Sequence, residues 1–192
     1  VVDPHKHGLQ PYGCGAVFFR DITLGKFYKH DSPYTYFASD ELHFGEIQLE
    51  CSRAGASAAA LWATLKVFPL SEQGLGQVLL GGRNAALKWH KLLSESEYLT
   101  PYQEPELDIV TYLPKVASMS ELDRVSHELF LEAAKGDRKD QLHLATYVVK
   151  PEALRARGIF LEEDAPQARI MRSVLMKPEQ EFLVESLHSH LE

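Results

Sequence analysis

The sequence predicts an α/β chain in two parts: a first part ending in a long helix, then a small α+β domain. Three observations predict it. Two stretches between residues 54 and 93 carry apolar residues at helical spacing, and Pro101 and Pro105 then mark a change of texture. Beyond those prolines, short β-rich runs alternate with amphipathic stripes, the pattern of sheet and helices packed as two layers. The division expected is 1–93 and 94–192, with the helix ending near 93 bridging the two.

Ala16 to Phe19, an apolar run after Gly13 and Gly15, reads as a short buried strand. Residues 21 to 51 are rich in aromatics, His, Asp and Ser without periodicity, so that stretch is read as a functional loop. In "SRAGASAAALWATLKVFP", Leu61, Leu65 and Phe68 recur at helical spacing up to Pro69. A second helix is expected from about Leu75 to Leu93, burying Leu75, Leu79, Ala86, Trp89 and Leu93. Both tryptophans, Trp62 and Trp89, read as core.

After the prolines, "LDIVTYL" is a strand. Ser118 and Glu121 stand in capping-box spacing before a stripe of Leu122, Val125, Leu129 and Ala133, and Gly136 stops that helix. "LHLATYVVK" and "ARIMRSVLMK" are further strands, and Pro178 introduces a last helix.

At 192 residues with 45% apolar content, the chain can bury a core. Its 27 acidic and 20 basic residues leave a formal charge of −7 with no basic stripe, which argues against nucleic acid. No run of about eighteen apolar residues suggests a membrane span. Two cysteines are too few for a secreted disulfide scaffold, so the expected location is the cytoplasm. A chain that opens on Val1 and closes on Leu191 and Glu192 is expected to be a piece of a longer polypeptide.

The opening, "VVDPHKHGLQPYGCGAVFF", sets Lys6 between His5 and His7. A lysine amine becomes a nucleophile when it loses its proton, which is why proteins use lysine for imines. Three readings stay open from spacing alone: an exposed lysine, a zinc site of His5, His7 and Cys14, or a Schiff-base lysine. For the metal reading, a lone H-x-H without a second ligand pair is weak, and no metal is assigned.

"VDPHKHGLQPYGCGAVFFRD" resembles the cofactor-lysine motif of the pyridoxal-phosphate-dependent group II amino-acid decarboxylases, which runs Asn or Asp, Pro, His, Lys and then a strand. "SRAGASAAALWATLK" is similar to the Ser-Arg-small-Gly segment and helix downstream in the same group and in the sphingosine-phosphate lyases. The two motifs occur in the family's order. The looser likeness covers the whole chain, as the C-terminal part of a transferase-like large domain followed by the small domain.

That resemblance implies pyridoxal 5'-phosphate as cofactor, an amino acid as substrate, and a homodimer. It implies that Lys6 forms the internal aldimine and that His5 donates to the cofactor phosphate. Asp3 stands where many members carry Asn; a carboxylate would repel the phosphate, so Asp3 is expected to orient His5 or bind backbone. Tyr34 and Tyr36 fall in the stretch that supplies the family's loop tyrosine, the source of a proton for Cα. Ser52 and Arg53, just before the alanine-rich helix, are candidates for an anion contact. His30 and His43 lie near the same loop.

The family's acid for the pyridine nitrogen, its stacking aromatic and its phosphate loop all come from upstream of the lysine. These 192 residues alone are therefore expected to be inactive. Alternatives on the same scaffold are aldehyde synthesis, carbon-carbon lysis, or a truncated, non-catalytic dimerisation partner. The substrate's side chain is not legible.

Overall fold

A computed structural model describes residues 1–30, 43, 46–47, 54–135 and 141–192. By contacts the chain forms two compact units, Val1–Leu75 and Gly76–Glu192.

In the first unit Val2 and Ala16 make an isolated antiparallel bridge that closes the opening loop. The strand expected at Ala16 to Phe19 is not formed: past that bridge the run has no ladder among the described residues, and Phe18 stays 74% exposed. A 3-10 helix, Ile22–Phe27, starts where the Asp21 carboxylate accepts from Thr23 N–H at 2.9 Å. Helix α1 (Ala56–Val67) follows the alanine-rich segment and ends at Phe68, whose N–H returns to the Thr64 carbonyl. It buries no residue. The expectation that Trp62 is core is corrected, since the ring is 65% exposed and carries the Lys66 ammonium 5.2 Å from its centroid.

The second unit holds α2 (Leu75–Glu95, all but its first residue), β1 (Leu99–Pro101), β2 (Ile109–Pro114), α3 (Met119–Ala133), β3 (Ala145–Val149), α4 (Pro151–Arg155), β4 (Ala168–Val174) and α5 (Gln180–Leu191). The sequence pattern missed β1, three residues beside the supposed linker, and α4, a single turn opened by Pro151. The four strands form one antiparallel sheet ordered β1-β2-β4-β3. Because β2 and β3 both run against β4, they are parallel to each other with β4 between them, so β2-α3-β3 is a split β-α-β unit.

Strand alternation sorts the core into two clusters. Leu99, Val110, Tyr112 and Met171 point to one face and pack with Ala85, Ala86, Trp89 and Leu93 of α2 and Val184 of α5. Leu113, Val149, Ala168 and Ile170 point to the other, with Met119 and Leu122 of α3 and Leu154 of α4. This is why the contact division falls at 75 although a boundary at 93 was expected: the apolar face of α2 is part of the sheet's core. Of the stripe expected on α2, only Leu79 is exposed. Tyr112 is fully buried, its hydroxyl shares a 3.1 Å hydrogen bond with Ser173, and burial pushes the phenol up to about 12.

Helix α3 begins as its sequence requires. Ser118 Oγ accepts from Glu121 N–H at 3.3 Å, while the Glu121 carboxylate reaches back to Ala117 N–H at 3.1 Å. The helix is tied to β4 where the recorded β2–β4 pairing stops, at Tyr112 and Met171. Just beyond, Arg169 donates from its backbone N–H at 2.9 Å and from its guanidinium at 2.8 and 2.5 Å to the Asp123 carboxylate. A further guanidinium nitrogen meets His127 Nδ1 at 2.9 Å. Among the described residues no helix is long and apolar enough to cross a membrane.

Candidate functional site

The lysine sits on a turn that its own sequence builds. Asp3, Pro4, His5 and Lys6 form a β-turn closed by Lys6 N–H to the Asp3 carbonyl at 2.9 Å, with proline in the second place, where its fixed φ suits the turn. A second loop closes on the first, with Gln10 N–H on the Pro4 carbonyl at 3.2 Å and Leu9 in the left-handed region at φ 59°. Gly8 is required there, because a Cβ would lie 2.8 Å from both Cα and O of Pro4.

Cys14 then turns the chain back onto the motif. Its carbonyl accepts twice from His5, from the backbone N–H at 3.2 Å and from ring Nδ1 at 3.0 Å. The buried Cys14 thiol lies 3.7 Å from the Ser57 carbonyl in the first turn of α1, and Gln10 Nε2 donates to Thr64 Oγ1 at 2.7 Å. The lysine loop and the alanine-rich helix, the two motifs of the sequence, are thus joined directly.

The Lys6 side chain is 56% exposed, and its amine lies 2.7 Å from Asp3 Oδ2. That hydrogen bond, with the lysine's charge, holds the Asp3 carboxyl below its usual range against the opposing effect of desolvation. The Asp3 carboxylate is therefore engaged with Lys6, while His5 is oriented by Cys14 and by the Tyr12 ring stacked on it at 5.1 Å and 26°. Pattern reading missed Tyr12 and weighed Cys14 only as a zinc ligand; the glycines on either side of Cys14 were the available signal that its backbone makes a close return. The zinc reading is not assembled, since His5 Nδ1 and the Cys14 thiol have other partners. Among the described residues no three His, Cys, Asp or Glu side chains are grouped to hold a metal ion.

Tyr34, Tyr36, Ser52 and Arg53 lie outside the described residues. His30 and His43 are tied to Glu46, a residue the sequence did not single out: His30 N–H donates to its carbonyl at 2.8 Å, and His43 N–H to its carboxylate at 3.2 Å. The bond from His43 and the Lys29 ammonium 3.4 Å away lower the Glu46 carboxyl.

An exposed primary amine on a tight turn, with a helix tied to the same loop, and a separate split β-α-β unit are what the chain offers for comparison with known proteins. Over 136 residues the chain is 27% identical to an L-tyrosine decarboxylase of Enterococcus faecium, covering 66% of this chain and 22% of that protein. A Levilactobacillus brevis L-tyrosine decarboxylase is 25% identical over 70% of this chain and 24% of its own length. A probable L-tyrosine/L-aspartate decarboxylase of Methanothermobacter thermautotrophicus is 32% identical over 58% of this chain and 28% of its own. The tryptophan decarboxylase of Catharanthus roseus, solved with L-tryptophan, shares the fold at a TM-score of 0.57 and 15% identity, over 88% of this chain and 32% of that one.

No protein-family model matches the chain. The chain spans about a quarter of the length of the curated relatives it matches. These relatives carry the names of amino-acid decarboxylases, the kind of protein that its two motifs resemble.

Proposed function

We propose that this chain is the lysine-bearing part of a pyridoxal-phosphate-dependent amino-acid decarboxylase. The observation that carries the reading is the Asp3-Pro4-His5-Lys6 turn, which presents a primary amine at the surface with an imidazole fixed one residue before it. These residues fit the cofactor: Lys6 Nζ would hold its aldehyde carbon, and His5 would meet its phosphate. When bound, pyridoxal phosphate takes up the electrons left on Cα as carbon dioxide departs.

The chain's own residues position and protect. Asp3 holds the amine at the turn through the 2.7 Å ion pair, and Gly8 keeps that turn tight against Pro4. Cys14 fastens the turn to α1, so the lysine is carried on a braced loop. Tyr34 or Tyr36 would return a proton to Cα, and Ser52 with Arg53 would meet an anion. The relatives' names favour decarboxylation over aldehyde synthesis or carbon-carbon lysis and make L-tyrosine and L-aspartate the first substrates to try.

The reading includes a homodimer. The first unit leaves Phe18, Ile22, Phe27 and Trp62 more than half exposed, and α1 is apolar yet buries nothing, so this surface suits cover by further chain or a second copy. The same reading has the 192 residues inactive by themselves and the intact enzyme in the cytoplasm, which suits the free thiol of Cys14. The test is to release carbon dioxide from each amino acid with the intact protein and with this chain. Turnover by the intact protein that needs added pyridoxal phosphate supports the reading; cofactor-independent turnover, or none with any amino acid, refutes it.

A further inference from the structure

We propose, resting on the reading just given, that His5 engages the cofactor phosphate only as an imidazolium, with the Cys14 carbonyl as the positioning group that makes phosphate capture take up a proton. A carbonyl oxygen can only accept, so the 3.0 Å contact between His5 Nδ1 and Cys14 O fixes Nδ1 as the protonated nitrogen. In the neutral ring the remaining nitrogen, Nε2, is then an acceptor. It meets the oxygens of a phosphate dianion lone pair to lone pair unless it gains a second proton, and only the doubly protonated ring donates to the carbonyl and to that anion at once.

Two further features hold this arrangement. The same carbonyl also binds His5 backbone N–H at 3.2 Å, so the acceptor that sets the tautomer is itself held in place by the return of the loop. Tyr12, 91% exposed, lies face to face with the imidazole, an arrangement that favours the cationic ring. The charged and titratable groups around it are Asp3, Lys6 and His7 on the same turn, with the Tyr12 phenol and the Cys14 thiol. Among the described residues, α1 offers the loop the Ser57 carbonyl and the Thr64 hydroxyl.

The balance is simple. Binding the phosphate dianion brings one proton from solvent to His5 Nε2, and any proton lost from Lys6 is common to pyridoxal phosphate and to pyridoxal, which has no phosphate. The test is calorimetry of the intact apo-protein at pH 8 in buffers of different ionisation enthalpy, titrating each compound into the wild type and into His5→Gln. At that pH a free imidazole is neutral.

The wild type is expected to take up close to one more proton with pyridoxal phosphate than with pyridoxal. Its affinity ratio for the two should fall as pH rises. In His5→Gln the excess proton and the pH dependence of the ratio both vanish. Equal proton uptake for the two compounds in the wild type overturns the proposal, as does an undiminished excess in His5→Gln. Borohydride reduction of the same samples separates the two levels: an adduct on Lys6 without the excess proton sinks this inference alone, whereas no adduct on Lys6 sinks the proposed function with it.

Discussion

Replacing Gly82 by alanine should destabilise the second unit even though alanine is the better helix former. Gly82 lies inside α2, where alanine gains about 1 kcal/mol over glycine. Its Cβ, however, would sit 2.5 Å from the Leu175 carbonyl oxygen, well inside the 3.4 Å at which ordinary contact begins. That carbonyl belongs to a buried residue just past β4, whose own N–H is tied to the Asp108 carbonyl at 2.8 Å. Backbone on both sides must therefore move, at a cost of about 2–3 kcal/mol, the upper part of the range for overpacking. The net expectation is a loss of about 1–2 kcal/mol.

Gly81 is the control: its Cβ would meet Pro178 Cα and Cβ at 3.0 and 3.1 Å, a shortfall that a few tenths of an ångström relieve, so alanine there should stay within about 1 kcal/mol of wild type. The assay is urea unfolding followed by Trp89 fluorescence in a Trp62→Phe background, which leaves one reporter inside the second unit's core. Gly82→Ala as stable as wild type, or less damaging than Gly81→Ala, would refute the reasoning.

Asp123→Asn should cost about 1 kcal/mol at pH 7, the value of a charge-assisted bond discounted for side chains one-third exposed. Because the Arg169 bonds hold the Asp123 carboxyl below its ordinary 3.8, the contribution is complete above that value and lost as pH falls through the lower, folded one. Urea midpoints of wild type and variant should accordingly converge below pH 4, and a constant gap down to pH 2 would contradict the assignment. Gly8→Ala should lower the rate of pyridoxal phosphate attachment at Lys6 by an order of magnitude or more, since the added Cβ collides with Pro4 and misplaces the turn. The same variant should leave the Trp89 unfolding transition of the second unit unchanged; attachment at the wild-type rate would show that the turn's shape does not matter.

The legible parts of the fold were those whose signal is local. Ser118 and Glu121 announce the start of α3, and the spacing of Leu75, Ala86, Trp89 and Leu93 announces α2, because a cap and an apolar stripe are properties of a few consecutive residues. Elements that depend on distant partners were not legible. The run Ala16 to Phe19 has strand composition but no neighbouring strand among the described residues, and β1 is three residues that count as strand only because β2 pairs with them. Trp62 and Trp89 look alike in sequence; Trp89 is buried because α2 lies on a sheet, whereas Trp62 is on a side of α1 that no described residue buries.

At the site, Lys6 and His5 were readable as residue types in a motif; the turn that carries them, with Pro4 in its second place, is a finding of the structure. What holds His5 was not readable, because the Cys14 carbonyl is a backbone atom that any residue could supply. The same limit applies to Asp3, whose partner depends on the direction its side chain takes within the turn.

The most direct measurement is peptide mapping by mass spectrometry of the intact protein after pyridoxal phosphate and borohydride. The account predicts a pyridoxyl group on the peptide containing Lys6, absent from Lys6→Arg together with amino-acid decarboxylation. A label confined to another lysine, or full turnover by Lys6→Arg, would contradict it.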